Sequence, residues 1–96
     1  MINGNFRAYE VTVANSAAGA LDLSSLSVGE MLVKINPGTT KVHLLITAAS
    51  SSTAADVQDY LLENGTNEFE LGRGLDRLSF FNDSGSEAKI SVAVLF

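Results

Sequence analysis

Apolar and polar side chains alternate along most of this chain with a period of two. From Phe6 to Val13, residues Arg7, Tyr9, Val11 and Val13 fall on one face and Phe6, Ala8, Glu10 and Thr12 on the other, which predicts a strand. A polar break at Asn15, Ser16 and Gly19 precedes a shorter strand, Ala20 to Leu23, with Leu21 and Leu23 on one side. Glu30 to Ile35 predicts a third strand whose inner face carries Met31, Val33 and Ile35. Asn36-Pro37-Gly38 has the chemistry of a type II turn, since proline presets φ and glycine accepts the positive φ that follows. It is expected to join antiparallel strands. Lys41 to Ala49 then sets Val42, Leu44, Ile46 and Ala48 against Lys41, His43, Leu45 and Thr47.

The segment 53–64 reads two ways. Thr53 with Asp56 could cap a short helix that places Val57, Tyr60, Leu61 and Asn64 together before Gly65. Alternatively Asp56 to Glu63 is a strand, and Asn64-Gly65 supplies a hairpin turn into Glu68 to Leu71. Gly72 and Gly74 flank Arg73 and mark a tight turn or bulge. Leu75 to Asn82 follows, with Leu78 and Phe80 opposing Arg77, Ser79 and Phe81. After the turn Asn82-Asp83-Ser84-Gly85, the final strand Ala88 to Phe96 sets Ile90, Val92, Val94 and Phe96 against Lys89, Ser91, Ala93 and Leu95. Seven or eight short strands at this spacing predict an all-β, small antiparallel β-sandwich or jelly roll. No linker or repeat divides the sequence, so one domain is expected over 1–96, with 1–5 as a candidate N-terminal arm.

Composition changes the picture in one respect. A chain of 96 residues buries only about 60 to 65% of its unfolded surface, yet 46% of these residues are apolar and only 18% charged. With no cysteine, neither disulfides nor thiolate metal sites can brace a small core. Surplus apolar surface and the lack of staples together point to self-association. Six basic against eleven acidic residues leave a net charge of -5, which disfavours nucleic acid and anionic membrane as partners. The N-terminus lacks the basic and apolar regions of a signal peptide, so synthesis in the cytoplasm is expected. Apolar runs such as Val92-Ala93-Val94-Leu95 fall far short of the roughly 20 residues of a membrane helix.

Candidate chemistry is sparse. His43 is the sole histidine, and its place on a strand suggests an outward or interfacial structural residue. No zinc triad can be built from it, and the G-x-S-x-G elbow of a serine hydrolase is missing. Glu68 and Glu70 share a strand face about 7 Å apart, a separation within reach of glycoside hydrolysis, but a solvated strand face accounts for them far better, and the chain has no tryptophan to floor a sugar site. Gly72-Arg73-Gly74 lacks the further glycines of a phosphate loop. Asn82, Asp83 and Ser84 offer oxygen atoms without the spacing of a calcium loop. These readings predict a protein that is not an enzyme and has no cofactor or metal. Apolar residues on both faces of the late strands are more informative: Phe80 beside Phe81, and Leu95 between Val94 and Phe96. Either a second subunit or the 48–64 segment must cover the second set. The candidate interface residues are Ile2, Phe6, Phe81, Leu95 and Phe96.

The stretch Asn64 to Asn82, with its G-x-G turn and L-D-R-L-S-F strand, and the apolar strand Ala88 to Phe96 resemble small virion structural proteins of tailed bacteriophages, of the capsid decoration or cement type. That resemblance covers roughly the C-terminal third. It implies a jelly roll or related sandwich that self-associates, with a trimer favoured over a dimer, and binds the major capsid protein on the outside of the virion. The alternative from another class is a carbohydrate- or receptor-binding module of a tail or fibre, using Tyr9, Tyr60 and nearby acids as its platform.

Overall fold

A computed structural model describes residues 4–26 and 29–96. Eight strands form in chain order: β1 (Phe6–Val13), β2 (Ala18–Asp22), β3 (Met31–Asn36), β4 (Val42–Thr47), β5 (Tyr60–Leu61), β6 (Asn67–Leu71), β7 (Arg77–Asn82) and β8 (Ala88–Leu95). A 3-10 turn, Ser24–Leu26, follows β2. The expected all-β architecture is present, in two four-stranded antiparallel sheets ordered β1-β8-β3-β6 and β2-β7-β4-β5. First pairs with last, second with seventh, third with sixth and fourth with fifth, as if one long antiparallel ribbon had been wrapped around its own core. That winding is a jelly roll.

Inward residues of both sheets build the core, as the alternation dictated. Val33, Ile35, Ile90, Val92 and Val94 from the first sheet meet Val42, Leu44, Leu78 and Phe80 from the second. Phe80 is the largest fully enclosed side chain. Met31 lies on the inner face with Val33 and Ile35, as expected. Gly19 of β2 permits a close approach, because a Cβ there would come within 3.0 Å of Val13 Cγ2.

Two expectations are corrected and two open alternatives are resolved. Asn36-Pro37-Gly38 does turn the chain, with Gly38 at φ 69°, but β3 and β4 lie in different sheets, so the turn is a corner between layers and not a hairpin. Asn64-Gly65 likewise leads from β5 in one sheet to β6 in the other, with Gly65 N donating to Gly38 O at 3.2 Å. Gly72 to Leu75 forms the tight turn of the two alternatives and not the bulge, closed by Leu75 N donating to Gly72 O at 3.2 Å, with Gly74 at φ 88°. The short helix considered over 53–64 does not form. Asp56 Oδ1 accepts from Gln58 N and Asp59 Oδ2 accepts from Asp56 N, so local side-chain turns hold this backbone where a helix would have started. Tyr60 and Leu61 then pair with Leu44 and His43 as strand β5, the strand alternative in shortened form. Among the described residues no helix is long and apolar enough to cross a membrane.

Candidate functional site: an uncovered sheet face

The two outward faces of the sandwich differ in what lies over them. On the β2-β7-β4-β5 sheet, outward side chains of the L-D-R-L-S-F stretch hold the 48–59 segment in place. Asp76 Oδ1 accepts from Ala49 N at 2.6 Å, Arg77 Nη1 donates to Thr53 O at 2.7 Å, and Ser79 Oγ accepts from Ala55 N at 2.9 Å. Ser79 and Ala55 are buried as a result.

His43 anchors the far end of the same cover. It faces away from the core, as expected, but the segment crossing over it leaves it only 6% exposed. A carbonyl can only accept, so Nδ1 carries the hydrogen that it donates to Asp59 O at 3.0 Å. Nε2 faces Asp83 Oδ2 at 3.7 Å, and that carboxylate takes Lys41 Nζ at 3.2 Å. Phe81 sits half-buried beside His43, with ring centroids 6.4 Å apart. His43 thus fastens the segment leading into β5.

Other candidate residues are scattered or occupied. Glu68 and Glu70 are exposed on the outer face of β6, opposite Lys34 and Leu32. Asn82 is fully buried and its amide donates to Val13 O and Ser86 O, while its oxygen accepts from Ser84 N. That geometry braces the β7–β8 corner and turns the side chain away from any ion. Among the described residues, no group of three His, Asp or Glu side chains could hold a metal. Tyr60 is 56% exposed and stands edge-on to Phe69 of β6, with centroids 6.0 Å apart. Tyr9 lies on β1 at the opposite edge of that sheet, so the two tyrosines do not form one platform.

The outer face of the β1-β8-β3-β6 sheet has no such cover among the described residues. Register places Phe6, Leu95, Leu32 and Glu70 in one row across the four strands. The next row is Ala8, Ala93, Lys34 and Glu68. Phe6 is 64% exposed, and Leu32 and Leu95 are half-buried. A shallow depression of about 490 Å³ on this face is lined by Ala8, Glu10, Lys34, Ser91 and Ala93 among others. Of the candidate interface residues, Phe6 and Leu95 therefore stand together here. Phe81 lies on the other sheet, Phe96 packs partly against the core, and Ile2 lies outside the described residues. Leu32, not singled out from the sequence, belongs with Phe6 and Leu95. The signal was its alternation out of phase with Met31 and Val33, but only register reveals its neighbours.

No family model matches the chain, and no curated protein matches its sequence. Solved structures do match its fold. The Yersinia pseudotuberculosis-derived mitogen aligns with a TM-score of 0.65 at 10% identity, covering 97% of this chain and 86% of that one. A Bacillus endospore appendage protein from a family of disulfide-linked pili aligns at 0.54 and 13% identity, covering 98% and 89%. A cupin domain from Bordetella pertussis Tohama I aligns at 0.53 and 16%, covering 100% and 86%. The likeness is one of fold. Identities this low leave activity and partners to be argued from the surface.

Proposed function

We propose that this chain is a non-enzymatic structural subunit of a phage virion, a decoration or cement protein that self-associates and stabilises the capsid by binding its exterior. The observation that carries the reading is the difference between the two faces: one sheet is covered by the chain's own 48–59 segment, and the other presents Phe6, Leu32 and Leu95 in a row. An apolar row on a sheet face that no described residue covers suits docking against another protein surface. The resemblance of the late strands to cement-type virion proteins supplies the class of partner, the major capsid protein. One neighbour of the same fold belongs to disulfide-linked pili. This chain has no cysteine, so assembly here would rest on noncovalent contact alone.

The test is made on phage particles. The protein is expected to sediment with purified heads, and heads lacking it are expected to rupture at lower temperature or osmotic stress. Phe6→Ser combined with Leu95→Ser should abolish head association while leaving the circular dichroism spectrum unchanged. Purified particles free of the protein would remove the reading.

A further inference from the structure

The eight-strand fold leaves four strand edges open, and they are not equally guarded. β5 is two residues long, β2 is five residues with Gly19 inside it and Asp22 at its end, and β6 carries Glu68 and Glu70 along its five residues. Such shortness and charge discourage pairing with a further strand. β1 is not short, and its charges do not stack on one face. It runs eight residues without a bulge, in continuous register with β8 from Phe6↔Leu95 to Val13↔Ala88. It contains no proline, and its two charges, Arg7 and Glu10, lie on opposite faces.

The direction of its backbone groups follows from one pair. Asn5 N donates to Phe96 O at 2.8 Å and Phe96 N donates to Asn5 O at 2.9 Å. In an antiparallel ladder, hydrogen-bonded and non-hydrogen-bonded pairs alternate. Arg7, Tyr9, Val11 and Val13 therefore spend their backbone groups on β8, whereas Phe6, Ala8, Glu10 and Thr12 aim theirs away from the sheet. All four of these residues are exposed. Among the described residues no hydrogen bond to their outward backbone groups is found.

We infer that β1 is a self-pairing edge: two copies join their β1 strands antiparallel about a two-fold axis at Tyr9, fusing two four-stranded sheets into one. This inference rests on the proposed role as a self-associating structural subunit and names the surface that makes the pair. The occupant is a second copy because the open edge is self-complementary in one full register. Phe6 opposes Thr12 of the other copy and Ala8 opposes Glu10, so all four outward residues on each strand exchange both their N–H and C=O groups. No like charges stand directly opposite in that register. Phe6 also gains a β-branched neighbour on the exposed face, where it is now 64% exposed. Pairing consumes the edge in both copies, so this contact closes at two.

The experiment compares wild type and Ala8→Pro by light scattering and amide hydrogen exchange. Proline at position 8 removes an outward N–H and leaves every β1–β8 hydrogen bond in place, as edge strands tolerate. Wild type is expected at twice the 10.1 kDa chain mass, with the Phe6, Ala8, Glu10 and Thr12 amides protected at high concentration and exposed on dilution. Ala8→Pro is expected at the single-chain mass with its circular dichroism unchanged. If Ala8→Pro fails to fold, the concentration dependence of those four amides in wild type decides alone. A monomeric wild type, a wild-type dimer whose four amides exchange freely, or a folded Ala8→Pro dimer overturns the pairing. Sedimentation of the same samples with phage heads is read separately, so loss of the edge contact and loss of the virion role are told apart.

Discussion

Phe80 and Asn82 lie two residues apart on β7 with their side chains on the same inner face, and they stabilise the sandwich by different means. Phe80→Ala would empty the largest enclosed site in the core and should cost about 3–5 kcal/mol. The loss would be read as a lower urea midpoint with an unchanged slope. Asn82→Ala removes little volume but leaves Val13 O without the donor it has at 2.9 Å, a loss of about 1–3 kcal/mol by the same measurement. A weaker, pH-dependent effect belongs to Asp22. Hydrogen bonds from the Ser24 side chain and backbone hold its carboxyl below the usual carboxylate value of 3.8. A depressed folded value stabilises above the unfolded one and ceases to do so as acid takes the pH down through it. The gap in melting temperature between wild type and Asp22→Ala should therefore be fullest above that value and close in stronger acid. Single residues were also where the pattern was most legible: Met31, Leu78, Phe80, Ile90, Val92 and Val94 all face inward as their alternation requires. His43 was not legible, because a strand residue facing away from the core is exposed or buried according to what crosses over it.

At the scale of elements, the segment 48–59 behaves as a strap fastened by outward residues of β7, its preceding corner and β4. Removing one fastener should loosen it locally and leave the sheets intact. Asp76→Ala is expected to accelerate exchange of the Ala49 amide, and Ser79→Ala that of Ala55, in each case with little change at Val92 or Val94. The converse pattern, equal acceleration throughout, would mean that the strap and the core open together. Turn chemistry was read correctly at Asn36-Pro37-Gly38 and at Asn64-Gly65 as places where the chain reverses. What the sequence could not supply was the partner of each strand, since a corner between sheets asks for the same φ values as a hairpin within one. Only β4 and β5 are both consecutive and paired. The helix considered near Thr53 fails for a local reason, because Asp56 and Asp59 satisfy nearby backbone donors themselves.

Across the whole molecule, the contrast between a strapped face and one that no described residue covers bears on how it would meet partners. The docking proposed through Phe6, Leu32 and Leu95 would be an apolar contact, and on that reading head association should persist when salt is raised from about 0.1 to 1 M, where exposed charge pairs are screened. Dissociation of the complex at high salt, measured by co-sedimentation, would assign the contact to Lys34, Glu68 and Glu70 instead. Alternation by itself determined the strands and their inward residues, because a pleated backbone sends neighbouring side chains to opposite sides whatever the topology. The charge and the missing cysteines, likewise independent of folding, determined how few ways a chain of this size has to brace itself. The tertiary structure alone decided which sheet each strand joined, that Phe81 and His43 would be sheltered, and that Phe6, Leu32 and Leu95 would share a row. Those outcomes depend on pairings between residues far apart in the chain, such as Phe6 with Leu95, and no local periodicity encodes which distant strand arrives alongside.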